Sequence, residues 1–226
     1  ISSSETQEFL LKSFTMWISV MFWDIGGVIV TLMPIFIFVG SSNNILDSLN
    51  FRFINCIHIR KSKIKQLFRE IIKSGTLGGI IAFLPQFVTY ILSLILFDQN
   101  NDIHFMQHNV NKLGLESSYA FAHYSLLLMF LYGFAIALYG IFMSLLIKRK
   151  ALYILISFVL YSSLLLYLPS VDQKYHVFNF YSPTYLPKGI YSFSYFITIN
   201  LIVITVFTGL ISYLFIEKYV EDELYA

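Results

Sequence analysis

The feature that most constrains the fold of this chain is a series of long, nearly uninterrupted apolar runs. Five runs have the roughly 20 residues that a helix needs to cross the hydrocarbon core of a bilayer. Overall, 57% of the residues are hydrophobic and 12% are charged, whereas about 25% are charged in an ordinary soluble domain. Because water would leave these runs exposed, the sequence predicts a protein that resides in lipid.

The apolar runs predict helices rather than strands. An open sheet leaves backbone polar groups unpaired in lipid, and a closed barrel would show segments of about ten residues that alternate apolar and polar. These runs do not alternate. We therefore predict one all-α transmembrane domain over residues 1–226, a polytopic membrane helix bundle with five visible spans. The predicted spans are 17–40, 77–97, 120–147, 151–169 and 190–216.

The distribution of Lys and Arg predicts the orientation of the spans, because these residues concentrate on the cytoplasmic side. When the spans are threaded alternately, the 15 lysines and arginines fall on one side, apart from Lys12, Lys112, Lys174 and Lys188. The richer side is predicted to be the cytoplasm. The external loops are then 98–118 and 170–189, and the long cytoplasmic segment is 41–75.

This threading places the start of the chain outside the cell. Residues 2–12 are mostly polar and have none of the features of a signal peptide. Two interpretations remain open: five spans with an external N-terminus, or a sixth span that precedes Ile1. We expect six spans, with the N-terminal one missing from this sequence.

The cytoplasmic segment 41–75 combines apolar and basic residues at helical spacing. Leu49, Phe53 and Ile57 recur on one side of a predicted amphipathic helix. A second basic stretch, 63–73, is predicted to lie at the lipid surface and to lead into the second span. The segment either rests on anionic lipid headgroups or forms a rigid projection that docks into a soluble partner.

No motif in the sequence indicates catalysis. HExxH, GxSxG and P-loop patterns are all absent from it, and the pair His104 and His108 with scattered acids does not make a metal site. The net charge of +2, without an aromatic and basic polar face, argues against nucleic acid. We predict neither an enzyme nor a metal or cofactor site in this chain.

Asp24 is the one acidic residue well inside an apolar run. A charge within a span is costly and by default suggests function or a buried partner. The alternative is that the first span begins near Asp24, with the carboxylate at the outer interface beside Trp17 and Trp23. Both interpretations stay open.

Proline and small residues predict how the spans bend and pack. Pro34 and Pro85 lie within spans and should bend them, because each removes a backbone donor. Gly78, Gly133 and Ala137 belong to small faces where helices approach closely. These features predict helix packing and identify no substrate.

With the spans placed, the chain resembles the permease subunits of type-two ATP-binding-cassette exporters. SLNFRFINCIHIRKSKIKQLFREIIKSG occupies the place of that family's cytoplasmic coupling helix. FLYGFAIALYGIFMSLLIKRKALYILISFVLY is similar to its fourth and fifth spans, which a tight basic turn joins. The aromatic loop 170–189 stands where the family has re-entrant external helices.

The resemblance implies a pairing with a second permease, identical or a sister subunit, above two cytosolic ATPases that hold ATP and Mg²⁺. An amphipathic cytoplasmic coupling helix would dock into the ATPase, and Asp24 would be a candidate for the translocation pathway. The residues of the coupling helix that contact the ATPase would be Leu49, Phe51, Arg52, Phe53, Ile54, Ile57, His58 and Arg60.

The function that follows is a multi-pass subunit of the bacterial cytoplasmic membrane. It would export an amphipathic cargo such as a peptide, a bacteriocin, a drug or a lipid-like molecule. The alternative is a stand-alone membrane immunity or sensor protein that binds a toxin or a lipid without an ATPase.

Overall fold

The computed structural model describes residues 17, 32–42, 63–96, 118–147, 149–171 and 193–219. Within these ranges the regular secondary structure is entirely helical and contains no strand, which confirms the predicted all-α class for them. The helices are α1 (32–42, ending in the π-helical turn Phe38–Ser42), α2 (Lys63–Leu96), α3 (Ser118–Leu146), α4 (Lys150–Val171) and α5 (Phe193–Tyr219).

Three of these helices contain stretches long and apolar enough to cross a membrane: Leu67–Leu96, Ala122–Leu146 and Ile197–Phe215. Leu32–Ser41 and Lys150–Ser163 are shorter apolar helices in the part of the chain that the structure describes. Such an arrangement is consistent with a membrane helix bundle, because only helices satisfy their backbone groups within themselves in lipid.

The third helix, α3, is the centre of the bundle. About 67% of its apolar stretch is buried, against 28% for α2 and 11% for α5, so the other two helices pack on α3 and turn their remaining faces outward. Those outward faces carry large apolar side chains such as Leu84, Ile95 and Ile202, which are 50%, 72% and 56% exposed. Contiguous exposed apolar surface of this kind suits lipid rather than water.

Small residues allow α2 and α3 to pack at close range. A Cβ atom added to Gly78 would lie 2.6 Å from the Cβ of Ala137, and one added to Gly79 would lie 2.7 Å from the Phe130 ring. The small face predicted from Gly78, Gly133 and Ala137 is therefore confirmed as a helix contact. Lipid provides no hydrophobic drive between helices, so this close van der Waals packing contributes to their association.

An apolar cluster fixes the relative direction of three helices. Leu67 near the start of α2, Leu145 near the end of α3 and Phe215 near the end of α5 all belong to it. Consequently α2 runs opposite to both α3 and α5, as alternate threading of the spans requires. The helix starts and helix ends that meet at this apolar cluster also carry basic residues.

Tyr139 of α3 links four helices. Its hydroxyl donates to the backbone carbonyl of Ser157 in α4 at 3.3 Å. Its ring centroid lies 6.0 Å from that of Phe38, 6.3 Å from that of Tyr161 and 5.8 Å from that of Phe207. The tilted and edge-on ring pairs have the geometries that aromatic quadrupoles favour, and they join α1, α4 and α5 to the central helix.

The second span is preceded by helix. Residues 63–73, predicted to lie at the lipid surface and to lead into the second span, are the first turns of one continuous 34-residue helix. At 1.5 Å per residue this helix is about 51 Å long, well beyond the roughly 30 Å hydrocarbon core. Leu67 and Ile71 are buried in the cluster with α3 and α5, so the basic stretch is part of the bundle.

Candidate functional site

The residues with predicted functional roles lie outside the described residues. These are Asp24 of the proposed translocation pathway and the eight predicted ATPase contacts, namely Leu49, Phe51, Arg52, Phe53, Ile54, Ile57, His58 and Arg60. The structure therefore places none of them. It does show the helix that follows the predicted contact segment, since α2 begins at Lys63.

One end of the bundle collects the basic residues that the structure describes, and we call it the basic end. It consists of Lys65, Arg69 and Lys73 on the first turns of α2 and of Arg149 and Lys150 at the start of α4. All five side chains are exposed. Alternate threading predicted that these residues would share one side, and the direction of the helices places them together.

The first turns of α2 carry large apolar side chains on both their buried and their exposed sides. Leu67 and Ile71 point into the bundle and are 6% and 3% exposed. Phe68 and Ile72 point outward and are 44% and 59% exposed, on the same side as the exposed Arg69. A surface that mixes large apolar and cationic side chains suits the headgroup level of a membrane or an acidic and apolar protein partner.

A tight turn joins α3 and α4 at the basic end. The Ile147 amide donates to the Met143 carbonyl at 2.9 Å, and the Tyr153 amide donates to the Arg149 carbonyl at 2.8 Å. These bonds keep helical geometry up to the last turn of α3 and from the first turn of α4. Arg149 therefore lies at the end of the bundle, immediately before the first turn of α4.

The exposed cations of the basic end can bind anionic groups. Exposed ammonium and guanidinium groups attract phosphate or carboxylate, and salt screens that attraction at a Debye length of about 8 to 10 Å. Among the residues that the structure describes, no group of three or more His, Cys, Asp or Glu is placed to hold a metal ion. The site can thus recognise an anionic surface.

Buried polar side chains between the helices were not singled out from the sequence. Gln86, Ser125 and Asn200 are 2%, 5% and 5% exposed within the bundle. The sequence did contain a signal for Gln86, because it lies on the same helical face as Gly78 and Ala82 at spacings of four residues. A polar residue in line with a small packing face is expected to be buried.

No protein-family model matches this chain, and comparisons with curated proteins and with solved structures find no match. The fold therefore assigns the chain to a structural class rather than to a named family. Over the described residues, the chain is an all-helical protein with three long apolar helices, consistent with a membrane helix bundle.

Proposed function

We propose that this chain is the permease subunit of an ATP-driven exporter of the type-two ATP-binding-cassette class, with the five predicted spans. It moves an amphipathic cargo across the bacterial cytoplasmic membrane, together with a second permease. ATP and Mg²⁺ bind to a separate cytosolic ATPase, and this chain has no catalytic role of its own.

The observation that carries the proposal is the continuity of α2. Its first residue, Lys63, follows closely after Arg60, the last of the predicted ATPase contacts, and the helix runs without a break to Leu96. A continuous helix transmits a displacement of its start along its whole length. A loop between the contact segment and the span would absorb the displacement instead.

The packing of α2 supports the same mechanism. Its start shares an apolar cluster with α3 and α5, and its middle contacts α3 at van der Waals distance through Gly78 and Gly79. Close-packed interfaces do not deform continuously but shift between discrete arrangements. Movement of the predicted contact segment would therefore shift α2 with its neighbours as a rigid body.

The basic end supports the proposed orientation. Its five exposed cations lie where α2 and α4 begin, and the predicted ATPase contacts precede α2 in the sequence. Cytoplasmic segments close to spans are the ones enriched in Lys and Arg. A cytosolic partner would approach this end.

Substitution of Phe53 and Ile57 by Asp tests the proposal. The variant should insert normally and lose transport, and the co-purifying ATPase should be lost or should hydrolyse ATP without transport. Tyr124→Asp is the matched control, since Tyr124 is 40% exposed near the start of α3, at the end of the bundle opposite the basic end. The control should keep its ATPase.

Two results would contradict the exporter. The first is purification without any ATPase containing a Walker A loop, and the second is full transport by the doubly substituted variant. The second result would exclude Phe53 and Ile57 as coupling contacts, and the first would favour the stand-alone immunity or sensor protein. In that case, replacing Lys61, Lys63 and Lys65 by Gln should weaken binding to anionic vesicles and affect nothing else.

A further inference from the structure

The interface between α2 and α3 contains a side-chain amide whose donors are unused. Gln86 is 2% exposed, and its Nε2 atom has no hydrogen-bond partner among the residues that the structure describes. Its backbone carbonyl, in contrast, accepts from Trp17 Nε1 at 3.2 Å and from Thr89 Oγ1 at 3.0 Å. An amide donor left unpaired in an apolar interior is costly.

A hydroxyl on the facing helix is also unused. Ser125 of α3 is 5% exposed, and its Oγ has no partner within the described part of the chain. The hydroxyls of Ser41, Ser93 and Ser144 are also buried, but each donates to a backbone carbonyl three or four residues earlier. Such back-bonding is the usual solution in an apolar helix, and Ser125 does not use it.

The packing of the two helices brings these two groups to one level. Gln86 lies about two turns beyond Gly78 on α2, and Ser125 lies about two turns before Gly133 on α3. Gly78 and Gly133 contact each other, and the helices are antiparallel. Equal distances along the two helices from that contact therefore bring Gln86 and Ser125 to the same height in the bundle. Both residues lie on buried faces.

Pro85 supplies an acceptor nearby. Because proline has no amide hydrogen, the carbonyl of Ile81 loses the donor that an ordinary residue 85 would provide. Ile81 lies on the turn before Gln86 within the same continuous helix. Two donor-bearing side chains and one carbonyl without its usual helical partner thus occur at about the same height of α2 and α3.

We propose that Gln86 and Ser125 form an internal polar site that holds a water molecule between α2 and α3. The amide donates to the water oxygen, and the water donates to the Ser125 hydroxyl and to the Ile81 carbonyl. A buried water typically makes about three hydrogen bonds to otherwise unsatisfied groups. No charged side chain takes part, so a small neutral ligand fits the site and an ion does not.

The site has a mechanical consequence. A water that bridges the gap at Pro85 replaces a fixed helical hydrogen bond by one that can reorient, because waters and neighbouring groups satisfy proline-freed backbone in lipid. This inference does not depend on the exporter proposal, since it concerns only groups inside the described bundle.

The experiment is magnetic resonance of the full chain in lipid nanodiscs with ¹⁵N-labelled glutamine. The Gln86 side-chain amide, assigned by its disappearance in Gln86→Leu, should show magnetisation transfer from a long-lived water. The transfer should be lost in Ser125→Ala and kept in Ser144→Ala, whose hydroxyl is buried on the same helix but donates to Ile141.

A wild-type amide without transfer from water would overturn the proposal, and so would transfer that is unchanged in Ser125→Ala. Thermal unfolding provides a second measurement that does not require assignment. Ser125→Ala should lower Tm if it removes a hydrogen bond to the water. A rise of Tm in both Ser125→Ala and Gln86→Leu would show that the two groups are simply unpaired.

Discussion

Gly78 of α2 and Gly133 of α3 face each other so closely that a Cβ atom on either one would meet the carbonyl oxygen of the other, at 2.7 Å in the case of Gly78. Real Cβ atoms essentially never approach backbone this closely. Because the neighbour is backbone rather than the end of a flexible side chain, it cannot move aside. The two helices would have to separate.

We therefore expect Gly78→Ala to destabilise the bundle even though alanine is the better helix former. The overpacking cost is about 1 to 3 kcal/mol, which exceeds the propensity gain of roughly 0.8 to 1 kcal/mol. Thermal unfolding in detergent or nanodiscs, followed by circular dichroism, measures the difference in stability.

Gly209→Ala is the matched control for this prediction. Gly209 lies inside α5, and a Cβ atom there would meet nothing within 4 Å. The same substitution should leave stability unchanged or raise it by up to about 1 kcal/mol. Equal effects of the two substitutions would show that the Gly78 contact does not constrain the helices.

The second prediction concerns Tyr139, which connects the central helix to its neighbours. Tyr139→Phe removes the hydrogen bond to the Ser157 carbonyl and should cost about 0.5 to 1.5 kcal/mol. Tyr139→Ala also removes the ring contacts with Phe38 and Phe207, and should cost about 3 to 5 kcal/mol. Chemical or thermal unfolding distinguishes these values.

Tyr213→Phe is the control for the loss of a hydroxyl, since Tyr213 is 65% exposed on α5. It should leave stability within about 0.5 kcal/mol. If Tyr139→Ala were as mild as Tyr139→Phe, the aromatic contacts would contribute little, and the four helices would be held by other packing.

The helical class and the small faces could be predicted from the sequence because both depend on local composition. Long apolar runs leave only a helix in lipid, and the small faces that include Gly78 and Gly133 indicate where two helices approach. The tight basic turn between α3 and α4 was likewise visible, because the Lys148–Lys150 run separates two apolar runs.

The continuity of α2 could not be predicted in this way. Gly75 follows a basic amphipathic stretch, and locally it favours an end of the helix. In the folded chain a Cβ on Gly75 would collide with the Phe134 ring, so the missing side chain makes room for a neighbour on α3. Tertiary packing decides the helix here, and local propensity does not contain that information.

The polar pair within the bundle also depends on tertiary structure. Gln86 and Ser125 are far apart in the sequence, and only the relative height of α2 and α3 brings them level. The predicted contact residues from Leu49 to Arg60 and Asp24 remain predictions, since they lie outside the described residues. Their location on the cytoplasmic side is inferred from the exposed Lys and Arg residues of the basic end.

The third prediction tests that orientation. Cys56 is the single cysteine and lies in the predicted cytoplasmic segment, so a membrane-impermeant maleimide should label it only after the cells are opened. In a Cys56→Ser background, Arg149→Cys should behave identically, because Arg149 is exposed at the basic end. Labelling of either residue from outside intact cells would show that the topology is the reverse of the one proposed. A cytosolic ATPase could then not reach the predicted contact segment.

The fourth prediction tests whether an unbroken α2 is needed for coupling. Thr76 lies just after the basic stretch of α2, and its hydroxyl donates to the Ile72 carbonyl at 2.6 Å. Thr76→Pro removes a helical hydrogen bond and should break or kink α2 at a cost of about 3 kcal/mol.

In the proposed exporter, Thr76→Pro should keep the ATPase bound, since the predicted contact segment is unchanged, but it should reduce transport per ATP hydrolysed. Thr76→Ala removes only the hydroxyl and should transport normally, because its helix stays intact. Transport and hydrolysis are measured together in proteoliposomes, with circular dichroism to confirm that both variants are folded. A folded Thr76→Pro variant with wild-type transport would show that force does not pass along this helix.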